Sequence, residues 1–315
     1  MNQTSGYSYA VVGTGAVGGF YGACLQRAGA EVHFLLHRDF EQVKQQGLVV
    51  ESALGNFVLP QVWAYSDVRH MPACDVVIVA LKTTQNHLLP QLLPPIVKPD
   101  GVVLVLQNGL GVEAQVADLV GQTSVLGGLC FICANKVAPG HIRHLDYGQI
   151  KLGAYRADDR PAGISEPMQR IAQDFQAAGI PVELATDLLL ARWQKLVWNI
   201  PYNGLSVVLN ARTDELMAQP QTRSLVETIM AEVAAAAAAC DRQITPDFIQ
   251  TMLDYTLKMK PYRTSMKIDY DEGRSLEVET MFGNPLRTAQ HRGVKLPRIE
   301  MLYQQLKFLA GRNLN

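Results

Sequence analysis

The chain has 315 residues, of which 48% are hydrophobic and 18% are charged, and its formal net charge is -1. This length predicts about two domains with a sizeable core, and the composition is that of an ordinary globular chain. A near-neutral charge lacks the basic excess of a general nucleic-acid or membrane-surface binder, so we expect neither kind of partner.

Targeting signals and cysteine use favour a cytoplasmic protein. No apolar run approaches the ~20 residues of a membrane-spanning helix, and residues 1–8 lack the charged and apolar regions of a signal peptide. Five cysteines, an odd number, argue against a disulfide framework. Cys130 and Cys133 form a CxxC pair, but their surroundings are typical of a buried strand and no second ligand pair is visible. We therefore expect core packing there, not a redox or metal site.

A strand, a glycine turn, a helix and a second strand open the chain: residues 9–12, Gly13-x-Gly15-x-x-Gly18, residues 20–28 and residues 32–36. In this context the motif indicates dinucleotide binding, although a chance cluster of glycines is the alternative. The first glycine permits the turn, the second lets the backbone approach a pyrophosphate, and the third lets the helix lie close to the strand. The helix start offers N–H groups to phosphates. We expect the cofactor to contact the whole turn: Gly13, Thr14, Gly15, Ala16, Val17 and Gly18.

The end of the second strand discriminates between NAD and NADP. NAD sites place Asp or Glu there to hold the ribose 2′-hydroxyl, but this chain has His37 and Arg38, with Asp39 only afterwards. A cationic pair suits the 2′-phosphate of NADP, which an arginine can bind through two parallel hydrogen bonds. We therefore expect NADP. The alternative is that Arg38 is a solvated loop residue.

Two later runs, residues 75–81 and 102–106, are almost wholly apolar, as expected for parallel strands buried on both faces. They end at Lys82 and at Asn108-Gly109-x-Gly111, which we expect at the carboxyl edge where open α/β sheets bind ligands. Asn-Gly is also consistent with a routine turn. The other predicted elements of this half are a short helix, a hairpin, two strands, a helix and a strand: residues 41–46, 48–59, 123–137, 141–152, 167–178 and 180–184.

The pattern changes at about Asp187, where strand signals give way to helical ones. The main predicted helices are residues 188–197, 225–240, 246–258, 275–293 and 297–310. The predicted fold class is therefore α/β, with a Rossmann-type dinucleotide-binding domain over residues 1–186 followed by an all-helical domain over residues 187–315. We expect a cleft between the two domains. A homodimer is left open, since the apolar helical half could pair with a second copy.

Three polar side chains stand at intervals of four residues in an otherwise apolar stretch. Lys195, Asn199 and Asn203 would lie on one face of a helix. A solvated face would carry more charge, so the pattern favours a site, with polar capping at a domain hinge as the alternative. Pro201 and Gly204 are expected to kink or end the helix nearby, which would move Asn203 off this face.

Together with the glycine turn, these residues resemble the 2-dehydropantoate 2-reductases, also called ketopantoate reductases. Their order and spacing are more specific than any single motif, and they run almost from end to end of the chain. The matching pieces are Gly13-x-Gly15-x-x-Gly18, Leu81-Lys82, Asn108-Gly109-x-Gly111, Trp193-x-Lys195-Leu196-x-x-Asn199-x-x-x-Asn203, Ser265-Met266-x-x-Asp269, Glu277-Val278-Glu279 and Gly293-Val294-x-x-Pro297.

The resemblance implies NADPH-dependent reduction of ketopantoate to pantoate, a step of pantothenate and coenzyme A biosynthesis. Hydride would pass to the carbonyl carbon of this 2-oxo acid, while the family's lysine, here Lys195, stabilises the developing oxyanion and donates a proton. The implied substrate contacts are Asn108, Asn199, Asn203, Ser265 and Glu277. The implied cofactor contacts beyond the glycine turn are His37, Arg38, Lys82, Asn108 and Glu277.

Departures from the family pattern leave the exact 2-oxo acid open. Tyr262 stands three residues before Ser265, where a well-studied branch has a substrate-binding asparagine, and the basic residue after the second strand is His37 or Arg38. One alternative is a related dehydrogenase of another 2-oxo or 2-hydroxy acid. A second is a non-catalytic NADP sensor, which could dispense with Lys195 and Glu277. Metal-dependent catalysis lacks a ligand cluster in the sequence.

Overall fold

A computed structural model describes residues 6–121 and 123–312, so the polar segment over residues 1–5 lies outside the described residues. The chain forms two compact units. The sheet unit comprises the described residues up to Gln107 together with Val112–Leu188. The helical unit comprises Asn108–Gly111 together with the described residues from Leu189 onward. A four-residue loop from the first half of the sequence therefore groups with the helices of the second half.

The sheet unit contains one sheet of ten strands: β1 Ser8–Val12, β2 Glu31–Leu35, β3 Leu48–Ser52, β4 Phe57–Leu59, β5 Trp63–Tyr65, β6 Cys74–Val79, β7 Val97–Val105, β8 Ser124–Ala138, β9 His141–Ala154 and β10 Val182–Ala185. The strand order is β4-β3-β9-β8-β7-β6-β1-β2-β5, and β10 pairs with β9. All pairs from β8 to β5 are parallel. The order β5-β2-β1-β6-β7-β8 is that of a doubly wound dinucleotide fold, whose direction reverses between β1 and β6.

Among the described residues, the α-helices of the sheet unit are α1 Ala16–Arg27, α2 Phe40–Gln46, α3 Leu89–Leu92, α4 Val112–Val120 and α5 Glu166–Ala177. Alternate residues of the central strands enter two separate cores, because side chains along a strand point to opposite faces. Val11 and Ile78 lie in the core that includes residues of α1 and α5. Val12 and Val79 lie in the core that includes residues of α3 and α4. The central strands are buried on both faces, as their apolar sequences predict.

The two longest strands, β8 and β9, form an antiparallel hairpin that packs against α1. The Phe20 ring lies 4.4 Å from the ring of His144, and a Cβ placed on Gly19 would lie 2.4 Å from Cδ1 of Ile142. Cys130 and Cys133 lie within β8, as predicted. The hairpin brings residues of β8 and β9 close to the glycine turn at the start of α1.

The helical unit contains the rest of the helices: α6 Leu188–Val208, α7 Thr213–Ala218, α8 Pro220–Ala239, α9 Pro246–Lys258, α10 Ser265–Asp271, α11 Asn284–His291 and α12 Pro297–Arg312. The described part of this unit has no strand, so the predicted fold class, α/β followed by helices, is confirmed. Its single core includes Trp193, Tyr202 and Phe282. None of the helices in the described ranges is long and apolar enough to cross a membrane.

The prediction that α6 kinks or ends near Pro201 was wrong about its length. The helix continues through Pro201 to Val208. An internal proline costs a helix ~3 kcal/mol because it removes one hydrogen bond and crowds the preceding turn. Here Ile200, Tyr202 and Leu205 are all buried in the core of the helical unit, and this burial outweighs the local cost. Asn203 therefore stays on the same helix as Lys195.

The helix predicted over residues 275–293 begins only at Val278, and its first turn is π-helical over Glu279–Gly283 before α11. Pro285, the second residue of α11, has no N–H to donate and would crowd the carbonyl of Met281 in an α-helix. A wider turn relieves that conflict, and such turns are frequent at functional sites. Glu277 thus immediately precedes the helix and does not lie within it.

Several elements differ from the predictions in extent. Helix α1 begins at Ala16, four residues earlier than expected, because packing of its first turn against the sheet outweighs the weak helix propensity of Gly18 and Gly19. The elements that were not predicted include β5, α4, α7 and α10. They are short, and short elements carry little periodic signal.

Candidate active site

The three glycines of the Gly13-x-Gly15-x-x-Gly18 turn have different surroundings in the sheet unit. Gly13 has φ +101°, and a Cβ there would lie 2.5 Å from the backbone nitrogen of Leu81. A Cβ on Gly18 would lie 2.3 Å from the carbonyl oxygen of Gly13. A Cβ on Gly15 would meet no atom within 4 Å. The first and third glycines are thus required by the protein itself, whereas the second borders open space.

The open space beside Gly15 lies at the N-terminus of α1. Gly15 is the residue before the helix and has no side chain to cap it, and the first turn carries no acidic residue. The N–H groups of residues 16–18 and the positive end of the helix dipole therefore face a position suited to an anion. These residues fit the pyrophosphate of a dinucleotide.

In the segment after β2, two basic residues are exposed, whereas the acidic residue that follows them is buried. His37 and Arg38 are exposed, and neither forms an ion pair within the described ranges. Asp39 is only 7% exposed. Its Oδ2 accepts the backbone N–H of Gly140 at 3.1 Å, and it pairs with Lys136 of β8. The carboxylate of Asp39 is therefore held by the protein, while the two basic side chains project into solvent.

Two further contacts locate the edge of the cofactor region. The hydroxyl of Thr14 donates to the carbonyl oxygen of Leu35 at 2.9 Å, which ties the glycine turn to the end of β2. Lys82 is exposed and immediately precedes a short 3₁₀ helix that follows β6. Since β1 and β6 flank the reversal of strand order, the glycine turn and Lys82 both lie at the edge where such sheets bind ligands.

In the helical unit, the predicted polar face of α6 is formed. Lys195 is half-buried, Asn199 is 7% exposed and Asn203 is 3% exposed. The side chain of Asn199 makes no hydrogen bond to any described residue. Its amide group is therefore available to hydrogen-bond a ligand, since polar groups of largely buried residues are usually hydrogen-bonded.

The neighbouring tyrosine on α6, Tyr202, is not suited to proton transfer near pH 7. Tyr202 is fully buried, and its hydroxyl donates to the sulfur of Met217 at 3.0 Å. Burial raises the pKa of Tyr202 to about 12. Its phenol is therefore protonated and neutral near pH 7, and Lys195 is the titratable group of this stretch suited to proton transfer.

Asn203 holds the start of α10. Its Oδ1 accepts the backbone N–H of Met266 at 3.4 Å, and Ser206, one turn further along α6, shares a 2.8 Å hydrogen bond with the Thr264 hydroxyl. Ser265 is the exposed first residue of α10. The structure thus brings Asn203 and Ser265 together. It also shows that the side-chain amide oxygen of Asn203 already accepts a hydrogen bond.

The loop that carries Asn108 is fastened to the π-helical turn. The N–H of Leu110 donates to the carbonyl oxygen of Thr280 at 2.8 Å, and the side-chain amide of Asn284 donates to the carbonyl oxygen of Leu110 at 2.6 Å. Glu277, 7% exposed, lies just before this turn. Asn108, half-buried, is therefore held within the same unit as Glu277.

Three residues that shape these regions were not anticipated. Lys136 pairs with Asp39, and Thr280 and Asn284 hold the Asn108 loop. The sequence Asn284-Pro285 predicts the start of a helix, but it does not predict a contact between Asn284 and Leu110. No local pattern links Lys136 to Asp39, because the pair depends on where the β8–β9 hairpin folds. The structure describes no group of three or more His, Cys, Asp or Glu side chains that could hold a metal in residues 6–121 and 123–312.

Comparison with known proteins agrees with these features. A family model described as ketopantoate reductase PanE/ApbA matches residues 9–157, and a second, described as its C-terminal part, matches residues 187–310. A 2-dehydropantoate 2-reductase of Nostoc sp. (strain PCC 7120) is 67% identical over 305 residues, which cover 97% of this chain and 96% of the relative.

Solved structures show the same likeness. The crystal structure of 2-dehydropantoate 2-reductase from Geobacter metallireducens GS-15 superposes with a TM-score of 0.91 at 40% identity, and covers 96% of this chain and 99% of its own. A D-mandelate dehydrogenase in complex with NADH and anilino(oxo)acetate has a TM-score of 0.87 at 21% identity over 98% of this chain and 100% of its own, a likeness of fold alone. With both halves matched by the family models and a relative at this identity, the chain belongs to the ketopantoate reductase family.

Proposed function

We propose that this protein reduces ketopantoate to pantoate with NADPH. The observation that carries the proposal is the face of α6, where Asn199, 7% exposed and with no side-chain hydrogen bond to the described residues, lies one turn beyond Lys195. The name of the Nostoc relative, which is similar over nearly the whole length of the chain, supports the choice of reaction. In this proposal residues 1–186 bind the cofactor, and residues 187–315 supply the catalytic and most of the substrate-binding side chains.

In the proposed mechanism, bound NADPH supplies the hydride that reaches the carbonyl carbon of the 2-oxo acid. Lys195 directs its ammonium group at the carbonyl oxygen, where it stabilises the growing negative charge and donates the proton. A donor placed at such an oxygen is typically worth ~3–4 kcal/mol of barrier. Asn199 and Asn108 orient the substrate and the nicotinamide through neutral hydrogen bonds, which add no charge to the site.

The proposed selectivity comes from Glu277. A carboxylate that is 7% exposed can accept a hydrogen bond from the terminal hydroxyl of ketopantoate. A site built to hydrogen-bond such a hydroxyl rejects the analogue that lacks it by roughly 10⁴-fold. Ser265, at the exposed start of α10, and the amide nitrogen of Asn203 are the remaining proposed substrate contacts.

The proposed preference for NADPH rests on the residues after β2. His37 and Arg38 are exposed beside the end of the strand, whereas Asp39 is withdrawn into contacts with Gly140 and Lys136. A carboxylate in that arrangement does not reach a ribose hydroxyl, and exposed cations attract a phosphate. Lys82 is the proposed cofactor contact at the end of β6.

The experiment is to follow NADPH absorbance with ketopantoate and with 3,3-dimethyl-2-oxobutanoate, which differs from ketopantoate only by the missing hydroxyl. We expect kcat/KM to fall by roughly 10⁴-fold with the second compound. Pyruvate and phenylglyoxylate complete the panel. Faster turnover of any of these three would assign the protein to another 2-oxo acid. Binding of NADPH without its oxidation by any of the four compounds would assign it as a sensor.

A further inference from the structure

We propose that Lys136 is a specificity-determining residue, which favours NADPH over NADH because its ammonium group both neutralises Asp39 and adds positive charge beside the ribose site. This inference rests on the proposed NADPH-dependent function. Lys136 lies near the end of β8, almost one hundred positions after the segment it pairs with. It is not among the residues that the sequence motifs place at the cofactor.

Asp39 is the first acidic residue in the sequence after β2. In NAD sites an acidic side chain at this point holds the ribose hydroxyls, and it repels a 2′-phosphate. Here Asp39 Oδ2 accepts the N–H of Gly140 and pairs with Lys136. The carboxylate is therefore turned toward the β8–β9 hairpin and its charge is compensated there.

Lys136 also contacts the glycine turn. Its Nζ lies 3.5 Å from the carbonyl oxygen of Thr14, and Thr14 is joined through its hydroxyl to Leu35 at the end of β2. The ammonium group thus bridges the phosphate-binding turn and the segment that follows β2. The side chain of Lys136 is 31% exposed, so its charge is felt by a ligand in that corner.

The balance of charge explains why the two cofactors should respond differently. With Lys136 present, the basic side chains of Arg38 and Lys136 both lie close to the carboxylate of Asp39 in the segment after β2. Without Lys136, Asp39 cancels Arg38. A phosphate monoester such as that of NADP carries roughly two negative charges near pH 7. NADH lacks this group, so the loss of Lys136 penalises NADPH far more than NADH.

The test is a fluorescence titration of the full-length protein with NADPH and with NADH, which needs no 2-oxo acid. We expect Lys136→Met to weaken NADPH about tenfold and NADH less than about threefold. The double variant Asp39→Asn/Lys136→Met should recover NADPH binding in part, because the repelling carboxylate is gone. Lys44→Met is the matched control. Lys44 is an exposed lysine of α2 that lies over the Phe40 ring and does not pair with Asp39.

Equal losses for the two cofactors in Lys136→Met, or no loss, would overturn the inference. If Lys136→Met fails to fold because Asp39 is left unpaired, the comparison of Asp39→Asn with the double variant decides. Those two proteins differ only in the ammonium group, and the inference requires NADPH, not NADH, to bind more weakly to the double variant. A wild-type protein that binds neither cofactor would instead overturn the proposed function itself.

Discussion

The backbone N–H of Leu110 donates to the carbonyl oxygen of Thr280 at 2.8 Å, across 170 positions of sequence. A Cβ on Gly109 would lie 2.5 Å from the same oxygen, so only glycine allows this approach. Asn284 holds the other side of the peptide through the carbonyl of Leu110. The π-helical turn thus fixes Asn108 relative to Glu277, the two residues that we propose bind substrate from different parts of the chain.

Replacing Asn284 tests whether this anchoring matters for catalysis. Asn284→Ala removes the amide that holds Leu110, and we expect kcat/KM for ketopantoate to fall about tenfold. The free energy of unfolding should fall by only ~1 kcal/mol, the typical net contribution of one hydrogen bond. Arg287→Ala is the control, because Arg287 binds the other end of the Asn284 amide and leaves the Leu110 contact in place. Equal activity of the Asn284 variant and the control would remove the anchoring role.

A variant of the glycine turn can distinguish effects on protein stability from effects on NADPH binding. Gly15 has φ -88° and open space where a Cβ would stand, so Gly15→Ala should change the free energy of unfolding by less than ~1 kcal/mol, because the restricted unfolded chain and the poorer helix N-cap act in opposite directions. The added methyl group would occupy the space we assign to the pyrophosphate, and NADPH binding should weaken at least tenfold. Thermal unfolding and NADPH titration of the same sample check both expectations. Unimpaired NADPH binding would place the phosphates elsewhere.

Gly18→Ala is the counterpart, because its new methyl group meets the carbonyl of Gly13 at 2.3 Å. Overpacking of this kind typically costs ~1–3 kcal/mol. We therefore expect a lowered melting temperature in Gly18→Ala, in contrast to Gly15→Ala. A Gly18→Ala protein as stable as the wild type would show that the helix can shift away from the strand without cost.

Much of this fold could be predicted from the sequence because the relevant signals are local. Apolar runs placed β6 and β7, and the Gly13–Gly18 spacing placed the turn at the start of α1. The length of α6 could not be predicted in the same way. Pro201 is a strong local signal to stop a helix, and only the burial of its neighbours, a tertiary effect, overrides it.

Contacts between distant segments account for the parts of the candidate site that sequence reasoning missed. The π-helical turn before α11 depends on Pro285, yet its use as an anchor depends on where the Asn108 loop arrives. Asp39 was noted only as an acid that follows His37 and Arg38. Its withdrawal from the strand end is visible only once the β8–β9 hairpin places Lys136 beside it.

Arg38→Ala should separate the two cofactors. The exposed guanidinium is proposed to bind the 2′-phosphate, and loss of one charge-assisted contact should weaken NADPH about tenfold while leaving NADH within about twofold. His37→Ala, measured alongside, shows which of the two adjacent residues makes the contact. Losses of equal size for NADPH and NADH in Arg38→Ala would argue for a solvated loop residue.

His144 predicts a pH dependence of stability. It is 2% exposed, its Nε2 donates to the carbonyl oxygen of Asp146 at 3.0 Å, and its Nδ1 accepts the hydroxyl of Ser52 at 2.8 Å. Burial lowers the pKa of His144, because it disfavours the imidazolium form. As the pH falls below roughly 6.5, His144 becomes protonated in the unfolded chain before it does so in the folded chain. The free energy of unfolding therefore decreases.

The check is a series of melting curves between about pH 7.5 and about pH 5.5, the range around the ordinary histidine pKa. We expect the wild type to lose more stability toward low pH than His144→Gln, which keeps a donor and an acceptor but does not titrate. His291→Gln, a change at an exposed histidine, serves as the control. Identical slopes for the wild type and His144→Gln would assign the pH dependence to other groups.

The decisive measurement is the single-turnover oxidation of bound NADPH by ketopantoate in Lys195→Ala, with the NADPH dissociation constant titrated on the same protein. Lys258→Ala, at an exposed position of α9, is the control. We predict a rate lower by roughly 10²–10³-fold in Lys195→Ala, the usual loss when one donor to a developing oxyanion is removed, and an unchanged affinity for NADPH. Hydride transfer at the wild-type rate in Lys195→Ala would contradict the proposed role of Lys195.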